Sequence, residues 1–340
     1  MIKDILNKLI VEKKSLSYKE AKEVFLNIME AKLSPAQVGA LLTALRFKGV
    51  SPDEIKALAG VMREKSLKLK LKEKDKEVIL DTCGTGGKPI KTFNISTVVA
   101  FIVASAGIKV AKHGNRSFSG SCGSIDLVEA LGININASPK KVEEAIRKIG
   151  IGFLFAPLYH PAMKNVAQVR KELGIRTIFN IVGPLTNPAQ ATHQLLGVAE
   201  KELTQSLAYV LKYLGLRKAF VVWGEDVYDE ISITGKTKIT YLNNKKISTF
   251  YVEPRDFGLR KGRFSEIKST SLEENLKIVK ALLKGEALSS QVNIVLANAS
   301  ACFLLTGLVK SFREGVKLAR TQIENGQALK KVKELREFLS

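Results

Sequence analysis

The chain has 340 residues, of which 45% are hydrophobic and 26% charged, a composition typical of a globular protein with one large or two moderate domains. It contains no run of about 18 uncharged apolar residues, and Met1-Ile2-Lys3-Asp4 does not open a signal peptide, so we expect neither a membrane nor a secreted protein and predict a cytoplasmic location. The three cysteines, Cys83, Cys122 and Cys302, are too far apart to indicate a disulfide framework or a C-x-x-C metal site.

The net charge of +21 has three interpretations: nucleic-acid binding, an anionic small substrate, or a lysine-rich surface. The lysines are spread along predicted helices and are not concentrated in one arm. Surface charges are screened beyond roughly 8 Å at physiological salt, so a diffuse charge is weak evidence for a partner. We therefore favour the surface interpretation and regard nucleic acid as the least supported.

Residues 1–72 are predicted to form a small all-helical domain. Capping boxes mark helix starts at Ser17, Ser34 and Ser51, each of which is followed three residues later by Glu or Gln. Apolar residues recur at helical spacing, and the segment contains no catalytic constellation. We interpret it as a packing domain whose remaining apolar faces would favour a dimer interface.

From residue 73 to residue 340 the pattern predicts a large α/β domain. Helices are predicted at 96–106 and 139–148 and over most of the chain after Ser271. Predicted strands lie at 78–80, 108–111, 152–155, 219–224, 231–234, 240–242 and 249–252. Alternating strands and helices indicate a mainly parallel central sheet with helices on both faces, and ligands of such sheets bind at the carboxyl ends of the strands.

A glycine-rich loop, Asp81-Thr82-Cys83-Gly84-Thr85-Gly86-Gly87, lies between a predicted strand and a predicted helix. Glycines allow the backbone to approach an anion closely, and the following helix start adds free N–H groups and its dipole. Further neutral donors follow from Thr85, Thr92, Asn94, Ser96 and Thr97. The loop is neither a Walker loop nor G-x-G-x-x-G, and a simple tight turn is the alternative. We predict a phosphate site.

Two further segments carry groups suited to charged ligands. The stretch 112–117 ends a strand with Lys and Arg, and the Ser/Gly-rich segment after it opens a helix, so a second anion site or a flexible loop is predicted. Asp226, Asp229 and Glu230 follow a buried strand. Such adjacent carboxylates suit Mg²⁺, although charged residues of a solvated turn are the alternative.

Six motifs follow one another between residues 81 and 232. They are Asp81–Gly87, Thr92–Thr97, Lys112–Arg116, His160–Lys164, Arg176–Leu185 and Asp229–Ser232. Their residues and their order resemble the anthranilate phosphoribosyltransferase family. The resemblance implies a nucleoside phosphorylase/phosphoribosyltransferase-like fold, a helical segment near 161–190 that returns to the small domain, and a homodimer formed through the helical domain.

The resemblance also implies the reaction, in which 5-phosphoribosyl 1-diphosphate and anthranilate give N-(5-phosphoribosyl)anthranilate and diphosphate in L-tryptophan biosynthesis, with Mg²⁺ as cofactor. It assigns no obligatory catalytic base. The implied phosphoribosyl diphosphate residues are Gly84, Gly87, Lys88, Thr92, Asn94, Ile95, Ser96, Thr97, Lys112, His113, Gly114, Asn115, Arg116, Ser117, Phe118, Ser119, Gly120 and Ser124. Anthranilate would contact Gly84, Asn115 and Arg170, with His113 and Pro184 lining its path, and the metal would bind Ser96, Asp229 and Glu230.

Two other functions compete with this interpretation. A pyrimidine nucleoside phosphorylase shares the architecture, and fold alone does not decide between the two. A nucleic-acid-binding relative without catalysis is suggested by the net charge of +21. Asn115, Arg170 and the Asp229-Glu230 pair favour the transferase.

Lys88 departs from the family pattern, in which Asp usually follows Gly-Thr-Gly-Gly and helps to bind a second Mg²⁺. We hypothesise that the Lys88 ammonium partly replaces the charge of that metal near the diphosphate or the ribose. The activity of the Lys88→Asp protein is then expected to depend on the Mg²⁺ concentration in a different way, because a protonated amine cannot ligate a metal and a carboxylate can. Mg²⁺ titrations of both proteins measure this, and identical activity profiles would remove the hypothesis.

Overall fold

The structure, a computed structural model, describes residues 2–71, 78–87, 91–117 and 122–340. The predictions made for Lys88, Phe118, Ser119 and Gly120 lie outside the described residues. So does the predicted domain boundary at residue 72, which stays a prediction.

Four helices form the N-terminal part of the chain: α1 (Ile2–Ile10), α2 (Tyr18–Met29), α3 (Pro35–Lys48) and α4 (Pro52–Glu64). All three predicted capping boxes are present at the starts of α2, α3 and α4. Glu54 of the third box is completely buried, and its carboxylate also accepts hydrogen bonds from the Leu16 amide (2.9 Å) and the Lys48 ammonium (3.2 Å). This carboxylate therefore holds three segments of the helical domain together.

Within the described residues, seven strands form one sheet in the order β3-β2-β1-β4-β5-β6-β7. They are β1 (Ile79–Gly84), β2 (Lys109–Gly114), β3 (Ile151–Phe155), β4 (His193–Gly197), β5 (Lys218–Gly224), β6 (Thr237–Asn243) and β7 (Lys246–Val252). The first five strands in this order pair in parallel, and β6 and β7 add an antiparallel edge. The predicted combination of a helical domain and a mainly parallel α/β domain is confirmed.

Helices cover both faces of the sheet. The remaining helices are α5 (Ile95–Ser105), α6 (Ser124–Ala130), α7 (Pro139–Lys148), α8 (Ala156–Tyr159), α9 (Lys164–Leu173), α10 (Ile178–Val182), α11 (Leu203–Tyr213), α12 (Leu272–Lys284), α13 (Ser289–Thr306), α14 (Phe312–Glu324) and α15 (Gln327–Leu339). One face carries α5 to α7 and α12 to α15 in one apolar core. The other face shares a second core with α11 and the N-terminal helices.

The segment α9–α10 packs against the N-terminal helices. Val166 of α9 and Ile178 of α10 are buried in the same core as α2, α3 and α4. Arg63 of α4 reinforces this arrangement by donating to the Leu185 carbonyl (2.7 Å) and the Leu214 carbonyl (2.9 Å). The helical domain is thus joined both to the segment after α10 and to the end of α11.

One strand prediction is wrong, and one strand of the sheet was not predicted. The predicted strand 231–234 is wrong, because Ile231 exchanges backbone hydrogen bonds with the side chain of Asn298 and the Ser232 hydroxyl closes a turn onto Thr234 and Gly235. The central strand β4 was not predicted. Its polar residues His193 and Gln194 do not form an apolar run, yet both are buried.

Among the described helices, none is individually long and apolar enough to cross a membrane, while α12 and α13 satisfy the length and composition criteria only as a pair bent by 74°.

Candidate functional site

The candidate site lies where β1, β2, β4 and β5 end. Each of these parallel strands ends in a glycine, namely Gly84, Gly114, Gly197 and Gly224. Because parallel strands present their carboxyl ends at one edge of the sheet, the loops that follow them converge there. The predicted phosphate loop, the Lys/Arg segment and the acidic pair all belong to these loops.

The glycine loop is held against the end of β4. The Thr85 amide donates to the Gly197 carbonyl (2.9 Å), and the Thr85 hydroxyl accepts a hydrogen bond from the Ala199 amide (3.2 Å). Gly86 and Gly87 have φ angles of 62° and 85°, in the left-handed region that glycine enters at little cost. Two glycines of the loop therefore have the positive φ that the sequence predicted, and the anion site itself stays a prediction.

Helix α5 follows the glycine loop and links it to the second predicted anion loop. Asn94 precedes the helix, and its side-chain amide donates to the Gly123 carbonyl (2.8 Å). Thr92, Ile95 and Thr97 are buried, and the Thr97 hydroxyl has no hydrogen-bond partner within the described residues. The start of α5 thus lies between the two loops.

Lys112 lies beneath this helix start. Its ammonium is buried and donates to the Thr82 carbonyl and to the Ser96 hydroxyl (3.1 Å). Burial lowers the pKa of Lys112, and the carboxylate of Asp81 opposes that shift. The charge of Glu230 also raises the Lys112 pKa, so this buried cation interacts with the predicted metal residue Glu230 as well as with Ser96.

Asp229 lies directly against the ends of β1 and β4. A Cβ atom added to Gly84 would be 2.9 Å from Asp229 Oδ2, and one added to Gly197 would be 1.7 Å from the Asp229 carbonyl oxygen. The preceding residue, Tyr228, has a φ of 58°, which is strained for a bulky side chain, and it is held by two backbone hydrogen bonds with Gly224 (2.7 and 2.8 Å).

The acidic pair is compatible with Mg²⁺. The described residues contain no group of three His, Cys, Asp or Glu side chains suited to a metal. Mg²⁺ needs fewer protein ligands, since it takes one or two carboxylates together with water and phosphate oxygens. Asp229 beside the glycine loop provides such a carboxylate next to the predicted phosphate position.

The second loop places its charged residue away from the glycine loop. Arg116 pairs with Asp126 (2.9 Å) and Glu129 (2.7 Å) of α6, and these carboxylates raise its pKa. Asp126 also accepts hydrogen bonds from the amides of Ser117 (3.0 Å) and Gly123 (2.9 Å). The guanidinium of Arg116 therefore stabilises the loop's attachment to α6.

The same loop has a polar part that turns back on itself. The Asn115 side-chain oxygen accepts a hydrogen bond from the Arg116 amide (2.8 Å). A Cβ atom on Gly114 would be 2.4 Å from the Ser124 hydroxyl, so Gly114 and Ser124 are in close contact.

Two buried histidines form a pair near the turn Gly183–Leu185. The rings of His113 and His160 are 5.1 Å apart. Their Nε2 atoms have no hydrogen-bond partner within the described part of the chain, and each ring bonds the backbone, at Gly183 and Thr186 respectively. Burial lowers the pKa of His113 to about 3 and that of His160 to about 4, so both are neutral at pH 7.

Arg170 projects from α9 toward Phe179 of α10. Its guanidinium lies 5.2 Å from the centre of the Phe179 ring, and burial lowers its pKa. The ring face supports a cation through its quadrupole. The helical-domain side of the site thus offers a positioned, partly buried cation.

Comparison with known proteins supports a single family. A family model described as "Glycosyl transferase family, a/b domain" matches residues 76–329, and one described as "Glycosyl transferase family, helical bundle domain" matches residues 3–66. Anthranilate phosphoribosyltransferase of Persephonella marina is 47% identical to this chain, with 99% of both sequences covered. The chain belongs to the anthranilate phosphoribosyltransferase family.

Solved structures of the family have the same fold. The Thermus thermophilus enzyme matches with a TM-score of 0.90 and 39% identity over 98% of both chains. The Saccharomyces cerevisiae enzyme in complex with PRPP and Mg matches with a TM-score of 0.91 and 28% identity, covering 99% of this chain and 97% of that one. Another structure of the yeast enzyme contains 4-fluoroanthranilate.

Two residues at the site were missed by sequence reasoning. Gln194 of β4 donates to the Pro184 carbonyl (2.7 Å) and to Asp81 (3.3 Å), but the strand that carries it was not predicted. Arg176 contacts the glycine loop through Thr85, although the sequence marked it only as part of a family motif. Its position at the start of that motif was the one signal available.

The buried histidines predict a pH dependence of stability. Unfolded His160 takes up a proton below about pH 6.5, whereas the folded residue stays neutral down to about pH 4, so the free energy of unfolding falls as the pH drops through this window. Between pH 6.5 and 4.5, we expect the free energy of unfolding of the His160→Gln protein to fall by about 1–2 kcal/mol less than that of the wild type. Urea unfolding of both proteins at each pH measures this difference, and the values at pH 8 serve as the reference. Parallel curves at all pH values would contradict the assignment.

Proposed function

We propose that this protein transfers the phosphoribosyl group of 5-phosphoribosyl 1-diphosphate to the amine of anthranilate, in L-tryptophan biosynthesis. The observation that carries the proposal is the glycine loop at the sheet edge, with Asp229 packed directly on Gly84. Membership of the family over the whole chain supports it. So do the structures of the yeast relative with PRPP and Mg and with 4-fluoroanthranilate.

The glycine loop and the start of α5 form the diphosphate side. Backbone N–H groups of Gly84 and Gly87 and of the first turn of α5 can donate to phosphate oxygens. Ser96, Asp229 and Glu230 would hold Mg²⁺, which when bound offsets the negative charge that develops on the leaving diphosphate. Lys112 acts from below, because its ammonium bonds the Ser96 hydroxyl and so fixes the orientation of that residue.

Arg170, Asn115 and Gly84 form the anthranilate side. A guanidinium can bind both oxygens of the anthranilate carboxylate, and the stacking of Arg170 on Phe179 fixes its plane. His113 and Pro184 would line the path of anthranilate, and the neutral Nε2 atoms of His113 and His160 are hydrogen-bond acceptors without a partner among the described residues. They stay uncharged during the reaction because burial keeps both pKa values well below 7.

The chemistry requires positioning more than acid–base catalysis. The bond between C1′ and the diphosphate oxygen breaks, the electron pair leaves with the diphosphate, and the amine nitrogen forms the new bond to C1′. An aromatic amine is neutral at pH 7 and needs no prior deprotonation. Correct placement of two reactants can lower the activation barrier by roughly 7–11 kcal/mol. The reaction therefore requires residues that hold the two substrates in position, and the site provides residues of this type.

Loss of anthranilate fluorescence on addition of phosphoribosyl diphosphate and Mg²⁺ tests the reaction. We expect a loss that depends on the enzyme and on Mg²⁺ and that is accompanied by release of diphosphate. Phosphorolysis of thymidine or uridine would support the phosphorylase instead. Tight, salt-sensitive DNA binding without turnover would support the nucleic-acid-binding relative.

Arg170→Ala provides an internal check on the anthranilate site. We expect the KM for anthranilate to rise by roughly 10- to 100-fold, because a charged hydrogen bond is lost, while the KM for phosphoribosyl diphosphate changes much less. Steady-state kinetics with each substrate varied in turn measure the split. Arg147→Ala, on α7 and therefore on the other face of the sheet, is the matched control. Equal losses for both substrates would reject this role.

We further propose that the protein is a homodimer formed through its helical domain. Three large apolar side chains on α1, directly after it and on α3 are strongly exposed: Ile10 (54%), Val11 (71%) and Phe47 (86%). Such a patch favours association. We expect sedimentation velocity to give a dimer, and Phe47→Asp to shift it toward monomer. A wild-type monomer at micromolar concentration would contradict the proposal.

We assign the protein to the cytoplasm, where the charged substrate phosphoribosyl diphosphate would be retained. Cell fractionation tests this assignment, and recovery of the protein in the membrane or secreted fraction would overturn it.

A further inference from the structure

Arg176 lies on the glycine loop. Its Nη2 atom donates to the Thr85 carbonyl at 2.9 Å. A Cβ atom added to Gly87 would be 1.9 Å from Arg176 Nη1 and 2.0 Å from Cζ, so the guanidinium occupies the space that a side chain at position 87 would need. The absence of a side chain at Gly87 therefore admits both the left-handed backbone and this cation.

The charges around Arg176 include that of the predicted metal residue Asp229. Half-burial lowers its pKa and so does the neighbouring charge of Arg46, whereas Asp229 and Glu200 raise it. Glu200 also forms an ion pair with Arg46 at 3.7 Å, so the same carboxylate interacts with both arginines. The other carboxylate, Asp229, lies next to Gly84 of the glycine loop. A guanidinium remains charged in such a setting.

The backbone of Arg176 belongs to the other half of the site. It lies between α9, which carries Arg170, and α10, which begins at Ile178. Both helices pack on the helical domain, whereas the loop that the guanidinium contacts belongs to the α/β domain. One side chain thus connects the anthranilate segment to the diphosphate loop.

We propose that Arg176 binds the diphosphate of phosphoribosyl diphosphate through its guanidinium, in addition to bonding the Thr85 carbonyl. The inference rests on the proposed function and adds a residue to its substrate site. A guanidinium presents several N–H groups in a fixed plane, so one edge can keep the loop carbonyl while another donates to a phosphate oxygen. Because the leaving group gains negative charge as the bond to C1′ breaks, this contact strengthens during the reaction.

Two substitutions separate this role from a purely structural one. Arg176→Gln removes the charge but retains an amide N–H that can donate to a carbonyl, and Arg176→Lys retains the charge without the planar fork. Arg46→Gln is the matched control, because Arg46 shares Glu200 with Arg176 and is a half-exposed arginine of α3. Thermal unfolding verifies that each variant is folded.

The decisive measurement is calorimetric titration of inorganic diphosphate, with Mg²⁺ present, into the full-length protein. For Arg176→Gln we expect the Kd to rise roughly 10- to 100-fold, with an intermediate rise for Arg176→Lys and a change below about threefold for Arg46→Gln. The KM for phosphoribosyl diphosphate should rise in parallel, while the KM for anthranilate stays within about twofold.

Three results would overturn the inference: an unchanged diphosphate Kd in folded Arg176→Gln, equal rises in both KM values, or an equal effect of Arg46→Gln. The first would make Arg176 a loop support only, and the last would reduce the effect to general surface charge. A wild-type protein that binds diphosphate but does not consume anthranilate would refute the proposed function and would leave the role of Arg176 to be decided by the titration alone.

Discussion

The close approach of Asp229 to the ends of β1 and β4 is the constraint on which the site depends. A Cβ atom at Gly84 or Gly197 would collide with this residue, so both strands must end in glycine for the acidic loop to reach them. The same contact brings a carboxylate beside the glycine loop, where a phosphate-bound Mg²⁺ would lie. The strained φ of Tyr228 shows that the surrounding structure fixes this turn, since a bulky residue adopts that conformation only where its surroundings impose it.

The second requirement is that the two halves of the site come from different parts of the chain. The proposed diphosphate side is built on the sheet, whereas Arg170, the proposed anthranilate residue, lies on α9, which packs with the helical domain. Arg63 fixes the helical domain to the turn that follows α10 and to the end of α11. Changes in the packing of these helices would therefore alter the separation of the two substrates without any change in the residues that bind them.

Local signals in the sequence were sufficient for most helices and most strands, although helix α11 was not predicted, but they were not sufficient for contacts across the fold. The capping boxes at Ser17, Ser34 and Ser51 involve residues three apart, and all of them form. Strand β4 was not predicted from the sequence. Its polar residue Gln194 forms hydrogen bonds with Asp81 and Pro184, and no local sequence pattern reveals these partners. The contact of Arg176 with Thr85 spans 91 residues, so the sequence identified the motif but not its position on the loop.

The net charge of +21 tells little about how the anion site works, because the cations at the site are few and individually placed. Lys112 is buried under Ser96, and Arg116 is paired with carboxylates of α6. Arg170 stacks on an aromatic ring and Arg176 on a glycine. Partly buried cations are screened less than surface lysines, so we expect the field at the proposed diphosphate position to be set by Lys112, Arg170 and Arg176 and by backbone N–H groups. The surface charge instead affects solubility and encounter with anionic substrates.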